Sequence, residues 1–436
     1  MSLLPDFSRL SRPQKHAFTA AFLGWTLDSL DFFLLIFCVK AMAADFRTDV
    51  STVMEAVFWT QALRPVGALI FGMLADRYGR RPVLIFNILS FSIIELSCAF
   101  APTLHVLLGL RALFGIAMGG EWGVGAALVF ETLPKQGRGG FSGILQEGYA
   151  VGSILASAAF GLLFHWIGWR GLFVVGASPA LLVLYVQWKV EESPVWLAAA
   201  QARKQSRATR APGIRPGRLS GSRPGRLSGS RPGLLSGPLL PPHLKEFLPT
   251  FFFLVLLMTA FMSFSHGTQD LYPTFLLVQV KLTAHVVGVI GVVYGLGSIV
   301  GGFVFGVASE RWGRKKAIVA AALLALPVIP LWAYGHSAWV LGTGAVLMQF
   351  MVQGAWGVVP AYLTELSPGP VRATAPGLAY QLGGLVTSWN GVLQARVAEW
   401  WGTYPPVLAF TVVIVALALA ALAAMGREAK GAEMTA

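Results

Sequence analysis

The chain has 436 residues, 55% hydrophobic and only 12% charged, with a mean hydropathy of +0.66. Soluble domains carry about 25% charged residues, so the composition excludes one and leaves a polytopic membrane protein. The net charge of +13 is not gathered into an aromatic-interleaved basic module, so no nucleic-acid partner is expected.

Twelve apolar runs can each span a bilayer, which takes about 20 residues. They lie near 17–39, 53–75, 82–101, 105–130, 141–167, 171–188, 247–272, 284–308, 316–334, 337–364, 375–398 and 404–425, numbered here as helices 1 to 12. With no water to satisfy the backbone, they are predicted as α-helices. Met1 to His16 is short, basic and polar, without a cleavable signal pattern, so helix 1 is expected to direct insertion. Placing the N-terminus in the cytoplasm leaves only Lys40, Arg47, Arg170, Lys281 and Arg396 at outer ends, with Arg64 and Arg111 inside helices. The rest of the 33 basic residues fall on the cytoplasmic side. That distribution predicts both termini in the cytoplasm and a multi-pass protein of the plasma (inner) membrane, expected as a monomer in contact with lipid. Cys38 and Cys98 sit in apolar runs and read as buried thiols.

Helix 1 carries Asp28 and Asp31, three residues apart. Helix 2 carries Arg64 about a dozen residues before its cytoplasmic end, near mid-membrane at about 1.5 Å per residue. A fixed guanidinium there suits a carboxylate, which it can hold with two hydrogen bonds. Helix 4 brings Arg111, the closely spaced Gly115 and Gly119, and Glu121. A helix 1 carboxylate beside Arg111 would make a proton switch, because protonating the acid frees the arginine. Helix 5 offers Gln146, Glu147 and Tyr149, and helix 11 offers Tyr380 and Gln381. Helix 7 holds Ser265, His266, Thr268, Gln269, Asp270 and Thr274 in one apolar run. Such groups are costly in lipid, so they are expected to face a pathway, with His266 and Asp270 on one face and Pro273 bending the helix.

The chain also repeats itself at an offset of 234 residues. Gly72, Asp76, Arg77, Gly79 and Arg80 correspond to Gly306, Glu310, Arg311, Gly313 and Arg314. Glu131 and Arg138 correspond to Glu365 and Arg372. The glycines are expected to give a tight turn and close packing, and the arginines to clamp acids on adjacent helices, in contacts of the Arg77/Glu131 and Arg311/Glu365 kind that hold the cytoplasmic side shut. Two six-helix halves, 1–198 and 246–436, follow, joined by a basic Pro/Gly/Ser-rich linker over 199–245 that reads as an unstructured tether.

The paired G-x-x-x-[DE]-R-x-G-R-[RK] loops resemble the signature of the major facilitator superfamily, which implies an all-α, twelve-helix membrane fold. Arg111 with Gly115, and Glu131 to Gly139, look like motifs of its proton-coupled sugar porters; the segment after helix 6, Glu191 to Trp196, departs from their P-E-S-P-R-W. Asp28/Asp31, the Leu-Arg64-Pro-Val-Gly-Ala run and the helix 5 sequence Phe141 to Ser157 resemble the sialate:proton symporter family, which includes fungal lactate/pyruvate symporters. Ser265, His266, Thr268, Gln269, Asp270 and Thr274 match the fungal helix 7 signature, with Met262 at its Asn position. The resemblance implies substrate binding and coupling by Arg64, His266, Asp270 and Gln381.

The expected function is symport of a small carboxylate such as lactate or pyruvate with a proton, by alternating access. Arg64, His266, Gln381, Tyr149, Gln146 and Tyr380 are expected at the substrate. Asp28, Asp31, Arg111, Glu121, Glu147 and Asp270 are expected in coupling. The alternatives are a sialic acid or other sugar-acid symporter and a transporter-like receptor that binds without moving its ligand. A drug antiporter for cations is disfavoured by Arg64. No cofactor loop, metal spacing or nucleophile motif points to an enzyme.

Overall fold

The computed structural model describes residues 7–133, 138–198, 200–201, 242–367 and 375–428. Arg372 and nearly all of the predicted linker lie outside these residues, as does the side chain of Arg138.

The helices follow the apolar runs. Helices 1 to 4 are continuous: Arg12–Asp45, Val50–Tyr78, Arg80–Ala99 and Leu104–Thr132. Arg138–Gly176 turns at Gly168, whose φ of 62° suits glycine, and with Ala180–Lys189 it makes helices 5 and 6. Helix 7 is Pro242–Gln269 and, beyond a break at Asp270 and Leu271, Tyr272–Val278. Helix 8 is Ala284–Trp312. Helix 9 begins as Arg314–Leu324 and resumes as Ile329–Ala333. Helix 10 is Ala338–Trp356 with Val359–Leu366. Helix 11 is Ala375–Thr387 with Asn390–Trp401, and helix 12 is Pro405–Met425.

Ten helical stretches among the described residues are long and apolar enough to cross a membrane. One of them, Gly143–Lys189, holds both helix 5 and helix 6, and helix 11 escapes by being broken, which accounts for twelve crossings. The repeat reappears in the backbone. Helix 2 and helix 8 begin at Val50 and Ala284 and end at Tyr78 and Trp312. Each is followed by a glycine with positive φ, Gly79 at 116° and Gly313 at 97°. These two glycines make the tight turns. Gly72 does not pack closely: a Cβ there would meet nothing within 4 Å.

Helices 2 and 4 touch backbone to backbone, with Gly115 against the Thr60 carbonyl and Gly119 against that of Arg64. Helices 8 and 10 do the same through Gly301 and Phe350. Small residues permit such approach where lipid offers no hydrophobic driving force. Between the halves, helices 5 and 8 meet along Gly161, Gly288 and Gly291.

Candidate functional site: a polar cavity between the halves

A cavity of about 30 Å³, room for about two waters, lies between helices 1, 2, 5, 7, 10 and 11. Arg64, Gln146, Tyr149, His266, Tyr380 and Gln381, the six residues expected at the substrate, all line it. Met262 and Ser265 add to the wall. Sequence reasoning passed over Gln61 and Gln353, which also line it. Their signal was the same as for the others: an amide in a run otherwise apolar.

Arg64 is not an unpaired cation awaiting an anion. Its Nη2 stands 3.1 Å from Asp28 Oδ2, and its Nη1 donates to Gln61 Oε1 at 3.4 Å. Pro65 lacks an N–H, which leaves the Gln61 carbonyl without its helical donor and loosens helix 2 beside the cavity. Gln61 Nε2 donates to His266 Nε2 at 2.9 Å, so the imidazole donates from Nδ1 to Asp270 at 3.1 Å. A polar chain thus runs from Asp28 through Arg64, Gln61 and His266 to Asp270, crossing between the halves. Asp270 sits where helix 7 breaks: Pro273 has no N–H to return to Gln269. Beside this chain, Gln269 donates to Tyr149 Oη at 3.1 Å and to Ser265 Oγ at 3.0 Å. Gln349 donates to Thr268 at 3.2 Å.

The other residues expected in coupling divide. Glu121 is buried beside Gly24 and within the field of Asp28 and Arg64. Glu147 faces Gly302 of helix 8, away from that group. Arg111 does not take a helix 1 carboxylate as its direct partner. It bonds Glu95 of helix 3, and Asp31 lies alongside without a hydrogen bond to it. Helices 3 and 4 are antiparallel neighbours, which sets Glu95 at the depth of Arg111, whereas helix 1 turns Asp28 toward helix 2. Glu95 was missed because one acid in an apolar run does not reveal which way it faces.

At the membrane end that carries the repeated loops, Arg80, not Arg77, holds Glu131, with Nη2 to Oε1 at 3.0 Å, and also bonds Asp76. Arg77 lies over the Tyr78 ring. In the second copy Arg314, not Arg311, holds Glu365 at 3.0 Å, and Ser309 takes the place expected of Glu310, which is exposed. The loop twists so that the third residue after the first arginine points inward, and the first arginine points out. Each arginine binds an acid of its own half. Two further acids were also overlooked. Glu192 accepts from the backbone N–H of Arg80 at 3.0 Å and of Arg81 at 3.2 Å. Glu428 accepts from those of Arg314 at 2.9 Å and Lys315 at 3.3 Å. Each caps the N-terminus of helix 3 or helix 9, where the dipole favours an anion. The departed segment Glu191 to Trp196 still delivers Glu192, and its Ser193 donates to Glu131.

At the opposite end three hydrogen bonds among the described residues cross between the halves, beside others within each half such as Arg170 to Asp45 and Gln279 to Thr403. Lys40 donates to the Leu277 carbonyl at 2.7 Å, Ser51 N to Glu399 at 2.7 Å, and Arg396 to Glu55 at 3.4 Å.

The described residues thus form a twelve-helix bundle of two repeated halves with a polar cavity between them, an arrangement that secondary transporters use to bind a substrate. Residues 21–275 match the model of the Major Facilitator Superfamily and residues 252–429 that of the sugar (and other) transporters. The chain belongs to the Major Facilitator Superfamily and is a multi-pass membrane transporter, not an enzyme. It is 28% identical over 402 residues to a carboxylic acid transporter protein homolog of Saccharomyces cerevisiae, covering 91% of this chain and 63% of that protein. The chain therefore spans less than two thirds of that relative's length. It is 25% identical over 420 residues to the sialic acid transporter NanX of Escherichia coli, covering 95% and 94% of the two chains. The fold superposes on a D-xylose-proton symporter with a TM-score of 0.70 at 17% identity, covering 93% of this chain and 97% of that one.

Proposed function

We propose that the protein is a proton-coupled symporter of a small monocarboxylate such as lactate or pyruvate. The observation that carries this reading is the Arg64–Asp28 pair at the cavity wall. A proton on Asp28 releases the guanidinium, and a substrate carboxylate can then take it with two hydrogen bonds. The anion alone would leave Asp28 charged and unpartnered, and the proton alone would leave Arg64 so. Either state costs about 3–5 kcal/mol when buried. Proton and anion therefore bind as a unit, and the halves rock with both or with neither. His266, hydrogen-bonded between Gln61 and Asp270, offers a relay on the way.

The distribution of Lys and Arg supports placing the Arg80/Arg314 end in the cytoplasm. The present form is then closed outside by Lys40, Ser51/Glu399 and Glu55/Arg396. One proton with one monoanion is electroneutral, so the pH gradient drives accumulation, about tenfold per pH unit. Membrane potential alone is expected to drive none.

A small acid is favoured by the narrow cavity and by Met262 on its wall, and the name of the yeast relative supports it. The name of the bacterial relative keeps a sugar acid as the second reading, with the same carboxylate on Arg64. The test is uptake of labelled lactate into proteoliposomes under an inward proton gradient. Uptake is expected to need the gradient, to fall at least 100-fold in Arg64→Ala, and to be competed by pyruvate. Gradient-driven sialic acid uptake without lactate uptake would move the substrate to the sugar acid.

A further inference from the structure

Behind the cavity lies a second buried ionic group that the carboxylate cycle above does not use. Arg111, Glu95 and Asp31 are each 0% exposed. Arg111 is held by Glu95 and lies over the rings of Phe114 at 4.6 Å and Phe173 at 4.8 Å. Glu95 Oε1 and both oxygens of Asp31 have no hydrogen-bond partner among the described residues. The two acids nevertheless converge. A Cβ at Gly176 would stand 3.0 Å from Asp31 Oδ1 and 3.2 Å from Glu95 Oε1, so the missing side chain there leaves room for them side by side.

Two carboxylates against one guanidinium would carry a net negative charge away from water, which is costly, and one proton removes it. The other titratable groups facing this place are the thiols of Cys38 from helix 1 and Cys98 from helix 3, with Asp28 one turn away on helix 1. Helix 6 contributes only Phe173 and Gly176. None of these supplies a second cation. A structural ion pair would need one acid; the second gives Arg111 a choice.

We propose that Glu95 is a second coupling carboxylate, which shares one proton with Asp31 and exchanges Arg111 with it as helix 1 moves. In the present form Arg111 bonds ionised Glu95, and Asp31 holds the proton. In the other form the O–H at Asp31 breaks, one forms at Glu95, and Arg111 passes to Asp31. No proton is gained or lost, so the transported proton remains the one on Asp28. Asp28 and Asp31 share helix 1, so releasing Arg64 at the cavity and engaging Arg111 behind it are one movement. This step rests on the symport reading, but its chemistry can be tested without substrate.

Each single change, Glu95→Gln or Asp31→Asn, leaves one acid on Arg111, a neutral pair that needs no proton and should fold. The full-length protein is compared with both variants by infrared spectroscopy in H2O and D2O, in the C=O stretch of protonated carboxyl groups. The wild type is expected to show a protonated carboxyl that is absent in both variants and present in Glu95→Asp. The same signal persisting in Glu95→Gln overturns the proposal, because Asp31 would then hold its proton without Glu95. In vesicles, lactate exchange is expected to slow at least tenfold in Glu95→Gln at unchanged KM, with recovery in Glu95→Asp. Failure of Glu95→Asp to recover would mean a packing role and would also overturn it. If the wild type moves no lactate, the lactate reading fails, and the infrared comparison still decides the shared proton.

Discussion

The two halves share a fold and differ in what they bury. The N-terminal half buries Asp28, Asp31, Arg64, Glu95, Arg111 and Glu121 on four largely unbroken helices. Among the described residues the C-terminal half buries one acid, Asp270, with amides and hydroxyls such as Gln269, Gln349, Gln381, Gln394 and Thr268. Its helices 7, 9, 10 and 11 are interrupted. Straight helices hold charges at fixed depth, where proton binding can change which pairs form. Broken helices and neutral hydrogen bonds adapt to a ligand at lower electrostatic cost. On the proposed cycle, one repeat would switch charges and the other would recognise the ligand, and the two meet at Gln61 and His266.

This division can be broken by experiment. Asp28→Asn should have the largest effect. It frees Arg64 permanently, so lactate exchange should continue while gradient-driven accumulation, about tenfold per pH unit in the wild type, disappears. If Asp270→Asn gives that phenotype and Asp28→Asn does not, charge switching belongs to the C-terminal half. Arg64→Lys should raise the KM for lactate roughly tenfold or more, since an ammonium cannot reproduce the planar two-bond geometry. Gln381→Ala should raise KM by about two- to tenfold, the worth of one neutral hydrogen bond, with the accumulation ratio unchanged. A fallen ratio would place coupling in helix 11 as well. The smallest effects are expected from Glu192→Gln and Glu428→Gln, which weaken helix N-terminal caps worth about 0.3–1 kcal/mol. Transport rates should change less than about fivefold, and similarly for the two, because these caps are common to both halves.

Much of the fold was legible because lipid leaves so few options. An apolar run must become a helix, and the 234-residue offset matched helix ends to the residue at Tyr78 and Trp312. The cavity wall was legible for a related reason: an arginine, histidine or glutamine at mid-membrane has few places to point. Pairing was not legible, because it depends on how each helix is rotated. Asp28 and Asp31 are one turn apart, yet one meets Arg64 on helix 2 and the other lies near Arg111 on helix 4. Arg77 and Arg80 are three apart, yet only Arg80 turns to Glu131. The break in helix 11 at Ser388 and Trp389 carries neither proline nor glycine, and nothing in its composition announces it.

The central claim is that one proton on Asp28 and one carboxylate on Arg64 cross together. Vesicles holding a pH-sensitive dye, with no initial pH gradient and the membrane potential clamped at zero, are given an inward gradient of lactate. The account predicts internal acidification matching lactate entry one to one in the wild type, and neither net lactate entry nor acidification in Asp28→Asn, whose empty form leaves Arg64 unpaired and cannot return. Lactate entering the wild-type vesicles with no proton, or Asp28→Asn still carrying one, would contradict it.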